Sequence, residues 1–298
     1  MSHLSWFQRQ WIALDYGLLL PLLALLPLSL GRRLAGWRGL LYAKLKRDWR
    51  QFSFQNADLY LRTQQTLHQL LPEANDSVIK QAVARRYQIY SIEEWEAACL
   101  ISGRDISSWP VIYQGIEEIQ ALLQDNPRMV FLSAHFGSCV LGSLLLQRLG
   151  IPILGMVSNT TEDQRIHPSI RYFFRKKYAA MARYLNGGKA LNKEGNTSEF
   201  VRFLQHRGAI VIFGDLPGHH QQSFLGSPCG LASGPVKLAK IAHAPLIAFV
   251  CEFKNNSYYL RFSIPGEDPY LFIDQAIRRN PSAWYAADLL PQMQAPSL

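Results

Sequence analysis

Residues 129–134, Met-Val-Phe-Leu-Ser-Ala, are the best buried-strand candidate of this chain, and an apolar helical pattern begins at Cys139 after only His135-Phe136-Gly137-Ser138. A strand that turns into a helix this abruptly points to a layered α/β architecture. It also sets a histidine at the C-terminal mouth of a strand, the edge at which open α/β sheets bind ligands. An imidazole there suits general-base chemistry, and Gly137 leaves a substrate room to approach.

From about residue 110 the chain alternates. Strands are expected at 128–134, 151–156, 209–214, 245–252 and 257–264. Helices are expected at 115–124, 139–149, 161–178, 196–206 and 234–243. This rhythm implies an α/β fold with a mostly parallel or mixed central sheet flanked by helices. Two further helices are expected upstream, at 55–72 and 76–102, each with an apolar stripe, and Asp76 is a candidate N-cap.

Residues 11–30 set a different constraint. Gly17–Leu30 is an unbroken apolar stretch of 14 residues, shorter than the ~20 a spanning helix needs. Extending it back to Trp11 admits Asp15, and Pro21 and Pro27 would kink it. Arg32, Arg33, Arg38, Lys44, Lys46, Arg47 and Arg50 follow, as cations facing anionic headgroups do. A monotopic, membrane-contacting helical anchor over residues 1–50 is the expectation. A single span, a buried core helix and a signal peptide are the alternatives. Residues 51–298 then form the α/β domain, with 51–105 as its helical lead-in.

The chain has 298 residues, 31 basic against 22 acidic, a formal charge of +9. That charge suits an anionic partner such as a membrane surface or an acidic carrier protein. Nucleic acid is not expected, because no zinc-finger spacing, RNA-binding signature or dense basic arm is present. Cys99, Cys139, Cys229 and Cys251 are far apart and form no CxxC, so they read as reduced thiols of a cytosolic compartment.

Four blocks carry a family resemblance. His135-Phe136-Gly137-Ser138-Cys139-Val140-Leu141-Gly142 resembles the HFxxxELG block of the bacterial lipid A late acyltransferases, a branch of the lysophospholipid acyltransferase superfamily. Phe213-Gly214-Asp215-Leu216-Pro217-Gly218 is similar to that branch's Asp- and Gly-bearing loop. Phe224-Leu225-Gly226 is similar to its FFG turn, and Ala232-Ser233-Gly234-Pro235-Val236-Lys237-Leu238-Ala239 to its TGPxxLA helix start. The order and spacing agree, and the opening hydrophobic helix followed by Leu70-Leu71-Pro72-Glu73 agrees as well. The family's closing WxHRRW-like block is only partly matched, by Pro281 and Trp284.

The resemblance implies an enzyme on the cytoplasmic face of the bacterial inner membrane. It would move a fatty acyl group from an acyl carrier protein or coenzyme A thioester to a hydroxyl or amine of an amphipathic acceptor, with no metal or other cofactor. His135 takes the base role. The family's orienting acid falls on Val140, which cannot play it. Three readings stay open: Asp215, at the end of a predicted strand, supports His135; His135 acts alone on a better nucleophile; or the site is inactive and the protein binds acyl chains or scaffolds an assembly. Gly218, Phe224 and Gly226, within the matched blocks, are candidate substrate-binding positions, joined by Arg175 of a basic cluster and by Gly137, Ser138, Ser233 and Gly234 as candidate anion-holding backbone sites. The oxyanion is expected at backbone N–H groups of Gly137 and Ser138 or at the Ser233-Gly234 helix start.

Other residues have plainer readings beside sharper ones. Cys139 lies one helical turn from His135 if the helix begins there, which would allow a Cys–His pair; a small buried apolar residue is the simpler account. Ser233 reads as an N-cap and Pro235 as a first-turn proline. Arg171, Arg175, Lys176 and Lys177 form a basic cluster interleaved with Tyr172, Phe173 and Phe174, fit for a phosphate-bearing partner or a solvated helix face. His219, His220 and His243 lack metal-ligand spacing, and Gly187-Gly188-Lys189 lacks that of a nucleotide loop.

Overall fold

The computed structural model describes residues 6–54, 58–206 and 208–295. The N-terminal part is helical: α1 (Trp6–Leu14), a π-helical turn (Asp15–Leu19), α2 (Leu20–Leu25), α3 (Leu28–Leu45), α4 (Trp49–Phe54), α5 (Leu59–Leu70) and α6 (Asp76–Ile101). Of the expected helix at 55–72, residues 55–57 lie outside the described residues. The N-cap of α6 is Asn75, not Asp76: its side chain accepts from the N–H groups of Ser77 and Val78, and Asp76 sits in the first turn.

The alternating part follows as β1 (Val111–Gln114), α7 (Ile116–Asp125), β2 (Met129–Ser133), α8 (Cys139–Leu145), β3 (Ile153–Val157), α9 (Pro168–Met181), β4 (Lys189–Asn192), α10 (Thr197–Gln205) and β5 (Ala209–Phe213). A hairpin, β6 (Pro217–Phe224) and β7 (Ser227–Leu231), precedes α11 (Gly234–Ala242). The chain continues through β8 (Leu246–Lys254), β9 (Ser257–Phe262), α12 (Pro269–Arg279) and α13 (Leu290–Gln294). Seven strands make one sheet in the order β1-β9-β8-β2-β5-β3-β4. All neighbours are parallel except β8 and β9. The central strands β2, β5 and β8 are apolar runs because helices cover both faces; every residue of β2 is buried.

Helix α9 starts at Pro168, later than the expected 161. Proline favours the first turn, where its missing N–H is no loss, and residues 159–161 form a separate 3-10 turn. The hairpin, the edge strands β1 and β4 and helix α12 add to the expected elements.

The apolar N-terminal stretch folds inside out. The π turn ends with Leu20 N–H donating to the Asp15 carbonyl five residues back, which widens the helix just ahead of Pro21, a residue with no N–H to give. Pro27 then separates α2 from α3. Ile12, Asp15, Tyr16, Leu20, Leu23 and Ala24 point inward. Leu14, Leu18, Leu22 and Leu25 point outward, joined on α3 by Trp37, Leu40, Leu41 and Leu45. Among the described residues no helix is long and apolar enough to cross a membrane.

Inside, Asp15 accepts from Arg38 at Nε (2.8 Å) and from the Tyr42 hydroxyl (2.6 Å), while Arg38 Nη1 donates to Glu94 on α6 (2.7 Å). The core formed by Ile12, Tyr16, Leu20 and Ala35 is continuous with Trp95 of α6 and with Phe131 and Phe249 of the sheet. The α3–α6 crossing is close enough that a Cβ on Gly39 would sit 2.5 Å from the Tyr87 carbonyl oxygen.

Candidate active site

His135 leaves the carboxyl end of β2, next to that of β5. Asp215, two residues beyond β5, reaches back to it. The imidazole Nδ1 lies 2.9 Å from Asp215 Oδ1, and the backbone N–H of His135 donates to Oδ2 at 2.8 Å. Trp284 Nε1 donates to the same Oδ2 at 2.8 Å. Asp215 is 2 % exposed. An ionised carboxylate only accepts, so it holds the ring proton on Nδ1 and leaves Nε2 basic. Phe213 packs on the ring from one side, 4.9 Å between centroids, and Tyr285 meets it edge-on at 6.0 Å.

The segment carrying Trp284 is zipped along the histidine loop. Gly137 N–H donates to the Ala283 carbonyl and Tyr285 N–H to the His135 carbonyl, both at 2.9 Å. Arg86, fully buried, donates to the Tyr285 carbonyl and pairs with Asp48 and Asp288. Phe224 packs edge-on against the Trp284 indole.

His135 lines a cavity of about 500 Å³, within the range of small-molecule sites. One wall is the sheet: Ile153, Gly155 and Val157 of β3, Val211 and Phe213 of β5. The facing wall is α9, through Phe174, Lys177, Tyr178 and Met181. Helix α8 adds Cys139, Val140 and Ser143, and Trp49, Arg50 and Phe54 of α4 form part of the rim. Gly155 faces Met181 across the cavity, and a Cβ there would come into ordinary contact with the Met181 methyl at 3.9 Å.

Several expectations need correction. The N–H groups of Gly137 and Ser138 do not face a ligand: they donate to the Ala283 and Cys251 carbonyls. Gly137 is glycine because its φ is +59° and a Cβ would stand 2.3 Å from the Cys251 carbonyl oxygen; close packing on β8, not substrate access, requires it. Helix α8 begins at Cys139, so His135 is not on its face. The Cys139 thiol is hydrogen-bonded to the Tyr285 hydroxyl, and burial pushes its pKa far up, against a thiolate nucleophile. Ser233 makes no side-chain cap.

The remaining candidates separate. Gly234 lines the cavity at the start of α11, with Pro235 beside it. Gly218, Phe224, Gly226 and Ser233 do not line it. Leu225 and Gly226, at φ +53° and +81°, are the central residues of the β6–β7 turn, which requires positive φ at both. Gly218 sits where that hairpin closes on the Leu231 carbonyl. Arg175 is exposed and outside the cavity, whereas Lys177, two residues on, is buried in its wall. Helical phase is the signal that distinguishes them, because Phe173, Lys177, Ala180 and Met181 share the inward face of α9. Among the described residues no group of three or more His, Cys, Asp or Glu side chains is placed to hold a metal ion.

A histidine bonded to a buried carboxylate, at the carboxyl edge of a mostly parallel sheet and opening on a largely apolar cavity, is an arrangement with the chemistry to move a proton beside an apolar ligand. The chain belongs to the bacterial lipid A biosynthesis acyltransferase family, whose model matches residues 8–269. That family implies acyl transfer to a lipid-like acceptor. Trp284 lies beyond the matched residues. No curated protein matches the chain significantly.

Proposed function

We propose that this protein transfers a fatty acyl group from a carrier-protein or coenzyme A thioester to a hydroxyl or amine of an amphipathic acceptor, at the cytoplasmic face of the bacterial inner membrane. The observation that carries this reading is the His135–Asp215 pair at the cavity wall. Nε2 of His135 takes the acceptor proton as its oxygen or nitrogen attacks the thioester carbonyl. Asp215 stays ionised and stabilises the imidazolium. The tetrahedral intermediate then collapses, the C–S bond breaks, and the leaving thiolate recovers the proton from Nε2. The acid that the family motif places at Val140 is here supplied from β5, with Val140 left as apolar cavity wall. With Gly137 and Ser138 N–H groups committed elsewhere, the N-terminus of α11 at Gly234 is the better oxyanion donor.

Membrane contact is supported by the outward leucines of α1 to α3 and by the exposed Trp37, together with exposed Arg33, Lys44 and Lys46. An apolar face bordered by cations suits an anionic lipid surface.

The test is turnover of long-chain acyl carrier protein by the full-length protein with bacterial lipid extract, read by mass spectrometry. A new acylated lipid that disappears in His135→Ala supports the reading. A product that persists in His135→Ala refutes the base assignment. Tight acyl binding without any turnover favours the other reading, an acyl-binding scaffold. Flotation with anionic vesicles, reduced by Leu25→Glu and Trp37→Glu together, tests the membrane face.

A further inference from the structure

The cavity wall carries a charged pair that the proposed reaction does not use. Lys177 of α9 and Glu93 of α6 both line the cavity, with Nζ 2.9 Å from Oε1 and both side chains buried. An ammonium has three donors. Glu93 takes one, and Nζ makes no further hydrogen bond among the described residues; the Phe174 ring lies 5.3 Å away, with Tyr178 and Cys139 also close enough to act on it. Burial disfavours the charge, but the Glu93 carboxylate, joined by Tyr178 and Cys139, outweighs burial and holds the lysine above its usual range.

Such a pair is out of place in a channel for plain hydrocarbon. Burying two charges carries a desolvation cost that good geometry only offsets. A methylene chain filling the cavity would also strip water from the two spare N–H groups and leave them unpaired. The pair is linked to the reacting end through Cys139 and Tyr285. Lys177 and Glu93 both act electrostatically on Cys139, Cys139 is bonded to Tyr285, and the Tyr285 ring is 6.0 Å from that of His135.

We propose that Lys177 and Glu93 select an acyl donor bearing a hydroxyl group near its thioester end. The hydroxyl oxygen accepts from a spare N–H of Lys177, and its O–H donates to the Glu93 carboxylate. The inference rests on the reading of this cavity as the acyl site. Its physical basis is general: a site that hydrogen-bonds a substrate hydroxyl rejects the analogue lacking it far more strongly than an apolar pocket rejects a missing methylene.

The test compares tetradecanoyl and 3-hydroxytetradecanoyl carrier protein, first by equilibrium binding to the full-length protein in detergent and then by turnover. Wild type should bind the hydroxylated donor on the order of tenfold tighter. Lys177→Met alone leaves a buried carboxylate unpaired and endangers folding. The double replacement Lys177→Met, Glu93→Leu removes both charges, and it should lose the preference while binding the plain donor at least as well as wild type does. Equal binding of both donors by wild type overturns the proposal, as does a preference that survives the double replacement. A double variant that slows both donors equally without changing their binding ratio also overturns it, and assigns the pair to the reaction instead. Failure of both donors to bind at all would strike the acyl-site reading itself, which the binding step separates from a failure of selectivity.

Discussion

Trp284 Nε1 and the His135 backbone N–H converge on one oxygen of Asp215, which leaves the other oxygen to the imidazole. The carboxylate is therefore held by three donors in a buried site, and it grips the histidine at two points, main chain and ring. Ring orientation is thus fixed by the protein itself, and under the proposed function that is the condition in which a base is most effective.

Asp215→Asn preserves the shape but can offer an amide N–H where Nδ1 needs an acceptor, which favours the wrong tautomer. Turnover should fall by a factor on the order of 10³ with the fold intact, as loss of an orienting carboxylate does elsewhere. Steady-state kinetics should place the loss in kcat, with KM changed little. A decrease under threefold would show that His135 works without this acid.

Trp284→Phe keeps the packing on Phe224 and removes one donor to Asp215. A lost hydrogen bond to a charged group is worth about 1.5–3 kcal/mol, and part of it should appear in the rate. We expect on the order of a tenfold drop in kcat and a lower Tm, measured side by side. Loss of stability with unchanged kcat would make Trp284 a packing residue only.

Gly155→Val adds a branched side chain to β3 opposite Met181. Valine suits a strand, so the fold should hold while the cavity shortens. A competition among carrier proteins charged with chains of different length should shift towards shorter chains. An unchanged profile would mean that the chain does not run along this wall.

Asp48 gives a pH dependence of known sign. Burial opposes its charge, but Arg50 and Arg86 outweigh burial and hold its pKa at about 2, below the ordinary 3.8. A depressed carboxylate contributes stability that is complete above the unfolded value and is lost as pH falls through the folded one. Thermal unfolding should therefore show a loss between roughly pH 4 and pH 2. In Asp48→Asn that component should be absent and stability at neutral pH lower, because Arg86 is left buried with less compensation.

The central strands were legible because burial on both faces writes an unbroken apolar run, as at 129–133 and 209–213. What escaped had no such mark. Strands β1 and β4 are four-residue edges: burial alternates along β1, and no residue of β4 is fully buried. The hairpin is rich in His and Gln, and only Phe224-Leu225-Gly226 hinted at a turn. Helix α12 is not among the expected elements, although Asp268-Pro269, whose aspartate accepts from Tyr270 N–H, is a start signal that pattern reading could have used. Within the site, the strand-end position of Asp215 made it visible as a partner for His135. Trp284 matched a motif, but its role depends on residues 283–285 lying along 135–137, a pairing of distant segments that local pattern does not encode. The cavity wall depends on the phase of α9, which separates Lys177 from Arg175.

Asp15 is the residue that distinguishes the N-terminal helices from an ordinary hydrophobic anchor. Hydropathy counts it as a blemish in an apolar run. Its bond to Arg38, and through Arg38 to Glu94, makes it a tether instead. Drawing α1 and α2 away from the body, into lipid or anywhere else, would first require separating that buried ion pair. The leucine surface thus stays at a fixed orientation relative to His135, and whatever surface those leucines rest on also sets the direction in which the cavity beside His135 faces.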